Sequence, residues 1–175
     1  LTNIFCQSVT LSPDEGMVIS YFDDWNLVGL PLVVSDNSYT AVFPDAIPGT
    51  LYSFDGTYYQ AQELNHGMGY WLRFEDSGST TLMGDPLNDL TVSLAMDWNL
   101  ISGITQSIDL SQVDDPNEII VPGTLYGFTG TYEQVLTLEP GKGYWLRTTA
   151  SGDIFISSAA RSMNPPFVNK LEDAN

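Results

Sequence analysis

The sequence is poor in cations, cysteine and histidine, and it has no long apolar run. Of its 175 residues only Arg73, Lys142, Arg147, Arg161 and Lys170 are basic, against 22 acidic residues. Nucleic-acid and anionic-membrane binding both draw on clustered Lys and Arg, so neither is expected, and no membrane insertion either. Cys6 is the only cysteine, which excludes a disulfide within the chain and a cysteine-based zinc site. It lies in "NIFCQS", read as a strand, where a lone thiol serves as a small buried hydrophobe. His66 is the only histidine and is read as a loop residue. No Ser-His-Asp order, HExxH, P-loop or GxGxxG pattern occurs, so the chain is not expected to be an enzyme. No apolar run approaches the roughly 18–20 residues of a membrane span. The chain begins at Leu1 without a visible signal peptide and is read as a piece of a longer precursor.

What the sequence does contain, it contains twice. "DDWNLVGL" (Asp23–Leu30) returns as "MDWNLISG" (Met96–Gly103), and "GMGYWLR" (Gly67–Arg73) returns as "GKGYWLR" (Gly141–Arg147). Between Ile47–Gly78 and Val121–Gly152, aligned without gaps, 19 of 32 positions are identical, which chance cannot supply. The organisation read from this is an N-terminal strand or linker (1–11), a first β repeat (12–83), a second (84–158) and an extended tail (159–175) carrying Pro165-Pro166.

Each copy reads as β structure. Short runs rich in β-branched and aromatic residues, such as Met17–Phe22, Trp25–Val34, Thr50–Phe54, Thr57–Gln62 and Gly69–Glu75, are separated by turn signals. Asp55-Gly56 and Thr129-Gly130 mark matching hairpins. One short helical turn per copy fits the variable stretch, with Asp109 or Ser111 as the cap in the second. The expected fold is all-β: two tandem antiparallel units, each a small barrel or sandwich, related by an approximate two-fold and packed together.

The candidate site is aromatic. In a strand the adjacent Tyr70 and Trp71 point to opposite faces, so one faces the core and the other a second layer, the partner copy or solvent. The flanking glycines imply positive φ or close passage of another strand. Trp25 and Trp98 sit in Asp-Trp-Asn corners whose polar side chains suit capping. Tyr52, Phe54 and Tyr58, with Tyr126, Phe128 and Tyr132, form cross-strand pairs about the hairpins. The tentative platform is therefore Trp25, Tyr52, Tyr58, Trp71 and Arg73, with Trp98, Tyr126, Tyr132, Trp145 and Arg147. If exposed, these rings stack sugars; if buried, they fill a core. Arg73 and Arg147 are each expected to pair with a carboxylate across the strand. Asp114, Asp115 and Glu118 form the densest oxygen cluster and are a weak Ca²⁺ candidate, without EF-hand spacing; no other cofactor is expected.

The pattern Trp-Asn-Leu … Leu-x-x-Gly-x-Gly-Tyr-Trp, present in both copies, resembles a repeat module of large secreted and surface bacterial proteins. Such modules often stand near a type IX sorting tail. The resemblance implies export and a non-catalytic module, with no agreed ligand. The first copy departs from the pattern at His66 and Met68, where the second has Pro140 and Lys142. The function expected is a spacer or interaction domain at the cell surface, with other domains of its parent protein as partners. The alternative is a carbohydrate-binding module that tethers a secreted hydrolase to polysaccharide.

Overall fold

The computed structural model describes residues 16–159. The expected strand around Cys6 and the tail after residue 159 lie outside them. The first copy runs β1 (Met17–Tyr21), β2 (Asp24–Val28), β3 (Leu32–Val33), helical turn α1 (Tyr39–Val42), β4 (Tyr52–Phe54), β5 (Tyr58–Gln60), β6 (Tyr70–Phe74) and β7 (Gly78–Leu82). The connection carries β8 (Asp85–Pro86). The second copy runs β9 (Asp89–Leu94), β10 (Asp97–Ser102), β11 (Ile108–Asp109), a 3₁₀ turn at Leu110–Gln112, β12 (Tyr126–Phe128), β13 (Tyr132–Gln134), β14 (Thr137–Leu138), β15 (Gly143–Thr148) and β16 (Gly152–Ser157). The described chain is all-β, with one helical turn per copy in the expected slot. Asp109 caps the second turn, its carboxylate accepting the Ser111 N–H at 2.9 Å.

Each copy is built on an antiparallel four-stranded sheet, ordered β2-β6-β4-β5 and β10-β15-β12-β13, backed by a two-stranded ribbon, β1-β7 or β9-β16. Among the described residues no sheet closes on itself, so the barrel alternative gives way to open layers. Strand alternation explains the layering. In β6, Tyr70, Leu72 and Phe74 are buried on one face, while Trp71 and Arg73 take the other. The buried face packs on Ile19, Tyr21 and Leu82 of the ribbon and on Tyr39 and Val42 of α1. Tyr144 and Leu146 repeat this against Val92, Leu94, Ile154 and Ile156. Each such fully buried aliphatic side chain contributes roughly 1.5–3 kcal/mol of transfer free energy.

The run Trp25–Val34, expected as one strand, is interrupted between Val28 and Leu32. The Gly29 N–H donates to the Gly141 carbonyl of the second copy at 3.0 Å, and Pro31 has no N–H to continue a ladder. The chain leaves its own sheet there to meet the partner copy.

The two four-stranded sheets turn their second faces toward each other. Leu27, Leu100 and Trp145 form the centre of this interface, with Phe54, Trp71, Tyr126 and Phe128 packed against them. Gly29 and Ser102 hold the same place in the two copies, and they meet: a Cβ on Gly29 would fall 2.2 Å from that of Ser102. An approximate two-fold axis therefore passes between them. The hydrogen bond from Gly29 N–H to Gly141 O has its counterpart from Ser102 N–H to Gly67 O, also 3.0 Å. Bridges Val28↔Lys142 and Met68↔Ile101 repeat the relation. The connection is pinned as well. β8 pairs with β3, Leu87 N–H donates to Thr105 Oγ1 at 2.7 Å, and that hydroxyl donates to Pro31 O at 2.6 Å. Among the described residues no helix is long and apolar enough to cross a membrane.

Candidate functional site

The Asp-Trp-Asn corner sets the first ring. Asp24 and Asp97 are left-handed, with φ of 66° and 80°. Asn26 makes that conformation tolerable: its Oδ1 accepts Phe22 N–H at 3.0 Å, and its Nδ2 donates to Phe22 O at 2.8 Å and Asp24 O at 3.1 Å. Asn99 makes the equivalent bonds to Ala95 and Asp97. The clamped corner delivers Trp25 and Trp98 onto the second face of each sheet. The corner aspartates also receive the arginines expected to pair across the strand: Arg73 Nε lies 2.8 Å from Asp24 Oδ1, and Arg147 Nε lies 2.7 Å from Asp97 Oδ1.

The Gly-x-Gly-Tyr-Trp run sets the second ring. Gly67 and Gly141 have φ of +80° and +78°, so the first glycine answers to backbone conformation. The second answers to space: a Cβ at Gly69 would stand 2.6 Å from Ile101 O, and one at Gly143 would stand 2.8 Å from Val28 O. Tyr70 and Tyr144 go into the two cores, their hydroxyls accepting the N–H of Asn65 and Glu139 at 2.9 Å. Burial pushes both phenols above their ordinary pKa, Tyr144 to about 12. Trp71 and Trp145 thereby face the partner copy.

The result is two aromatic troughs. Trp25, Tyr52, Tyr58 and Trp71 of the first copy, with Phe128 of the second, line a concavity of about 350 Å³. Trp98, Tyr126, Tyr132 and Trp145, with Phe54 of the first copy, line one of about 490 Å³. The ring geometry repeats closely. Trp25–Trp71 is 6.3 Å at 89° and Trp98–Trp145 is 6.4 Å at 88°. Trp71–Phe128 is 4.8 Å at 78° and Trp145–Phe54 is 5.0 Å at 75°. Trp145 is buried and Trp71 half-buried, but Trp25 and Trp98 keep 36% and 38% of their surface in solvent, and Tyr58 and Tyr132 keep 54% each. Burial and the neighbouring Tyr58 push the Tyr132 phenol up, partly offset by the Trp145 side chain.

All eight aromatic residues read from the sequence as a platform line the troughs. Arg73 and Arg147 do not; they stand one pleat beyond Trp71 and Trp145 on the same face. Phe54 and Phe128, read as hairpin partners only, are the missed members. Their spacing from Tyr52 and Tyr126 shows the shared face, but nothing local shows that each completes the trough of the other copy.

The acidic cluster is occupied with turn chemistry. Asp115 Oδ1 accepts Ile119 N–H at 3.0 Å and Oδ2 accepts Ile120 N–H at 2.8 Å. Asp114 exchanges backbone hydrogen bonds with Phe155, and Glu118 is left-handed at φ 52°. Among the described residues no three or more His, Cys, Asp or Glu side chains converge as metal ligands would. His66 lies in a loop, its Nε2 2.9 Å from Leu32 O. No family model, curated protein or solved structure matches the chain.

Proposed function

We propose that the chain is a non-catalytic binding module of a larger secreted or cell-surface protein, with the paired aromatic troughs as its contact surface. One observation carries this reading: Trp25 and Trp98 lie beside buried rings yet remain more than a third exposed. Rings needed only for packing are buried further, and exposed Trp and Tyr are enriched where proteins meet partners. The repeated Trp-Asn-Leu and Gly-x-Gly-Tyr-Trp signatures, with their resemblance to exported repeat modules, favour export and make neighbouring domains of the parent protein its covalent partners.

The double variant Trp25→Ala/Trp98→Ala is the test. In pull-downs from the producing organism's surface fraction, it should lose partners that the wild-type chain retains, both compared under conditions where near-UV circular dichroism shows them folded. Equal retention by both would end the reading. Protease treatment of intact cells tests location, since a surface domain is cut and an internal one is spared.

The carbohydrate-tether reading has the same exposed rings in its favour, because sugar C–H faces stack on open indoles. Affinity electrophoresis through soluble polysaccharides decides it: a chain that no glycan retards is not a carbohydrate-binding module.

A further inference from the structure

Resting on the reading of the troughs as a contact surface, we propose that each trough is an open aromatic site for a small quaternary ammonium cation of the choline type, so that one chain carries two such sites. The walls argue for this class. Trp25 and Trp71 meet at 89°, and Trp71 and Phe128 at 78°. The troughs are shallow and open, and Trp25 and Tyr58 in one, Trp98 and Tyr132 in the other, keep exposed ring surface on which a methylated ammonium can settle. Among the described residues the lining consists of aromatic side chains alone. A hydroxyl-rich ligand would find few partners there, but a methylated ammonium has no N–H to satisfy and is held by the π faces. The charge of the molecule points the same way. With 22 acidic residues against five basic, its field gathers cations at the surface. The positive groups one pleat beyond the troughs, Arg73 and Arg147, are each paired with their own aspartate and add little repulsion. The second trough repeats the ring geometry, with Trp98 and Trp145 at 88° and Trp145 and Phe54 at 75°.

The test follows the four indole N–H signals of the full chain by NMR during titration with choline chloride. A parallel titration uses 3,3-dimethylbutan-1-ol, the neutral carbon isostere. Choline is expected to move the indole signals at a concentration at least about tenfold lower than the alcohol does. Trp98→Ala should silence the response of Trp145 and leave those of Trp25 and Trp71, and Trp25→Ala should do the reverse. If either variant loses its dispersed spectrum, Tyr126→Ala and Tyr52→Ala take its place, since each of these rings touches the tryptophan of its own trough. Co-sedimentation with phosphatidylcholine vesicles, competed by free choline, would support the same chemistry with a lipid headgroup as its source. Equal response to choline and the alcohol, or none to either, overturns the proposal. A glycan that moves these signals where choline does not overturns the ligand class and leaves the binding-module reading standing.

Discussion

At Gly69 a methyl group would stand 2.6 Å from the Ile101 carbonyl oxygen, and at Gly143 one would stand 2.8 Å from that of Val28. Neither contact can relax by moving a side chain, because both neighbours are backbone. Gly69→Ala and Gly143→Ala should each cost about 1–3 kcal/mol, read as a lower urea midpoint at unchanged slope. Asn26 offers a sharper probe. Asn26→Asp keeps the acceptor for Phe22 N–H but removes both donors and brings a carboxylate against two carbonyls. It should cost about 2 kcal/mol or more, while Asn26→Ala at this buried site should cost a similar amount. Stability equal to wild type for Asn26→Asp would show that the corner does not depend on the clamp. The role of this asparagine was legible in the sequence, since Asp-x-Asn is local turn chemistry. The glycines were legible only as a choice between conformation and space. Each copy uses both, one per glycine, and the spatial half depends on a strand far away in the chain.

Elements were legible where their causes are local. Hairpins, alternating strands and the Asp109-capped turn follow from neighbours in sequence. The interruption after Val28 does not, because its cause is the Gly141 carbonyl of the other copy. The loop at Asp114–Glu118 shows how residue type alone misleads. Its carboxylates read as calcium ligands, yet both oxygens of Asp115 hold backbone N–H groups. EDTA is therefore expected to leave the melting temperature unchanged, and a drop of several degrees would establish an ion in the loop. Asp115→Ala, by contrast, should cost about 1–3 kcal/mol whether or not calcium is present.

At the scale of the whole molecule the two copies share one interface core, so the chain should unfold in a single transition. Trp145→Ala, which strips a buried ring from the hairpin of the first copy, should lower that transition by about 3 kcal/mol or more without splitting it. Two separated transitions in the wild-type melt would mean the copies are independent. Alkaline pH gives another check. The Tyr144 phenol is raised to about 12 by burial, against an ordinary value near 10. Below pH 10 it is protonated in both folded and unfolded chains, and its contribution is complete. Between pH 10 and 12 the unfolded chain loses that proton first, so stability should fall, by roughly 2–3 kcal/mol from this group. A flat urea midpoint across that window would contradict the assignment. The duplication was plain from sequence, but the exchange of Phe54 and Phe128 between troughs was not, since it is a property of the assembled pair.

On a dyad, a residue is its own neighbour. Were the halves separate and identical chains, any side chain where Gly29 and Ser102 meet would collide with itself, and only glycine on both sides could let them close. Joining the halves in one gene releases one of the two positions, and serine has taken it, with a buried hydroxyl that has no hydrogen-bond partner among the described residues. A free-standing half with glycine there is expected to pair in solution, and one with serine to remain single, a difference that sedimentation would show.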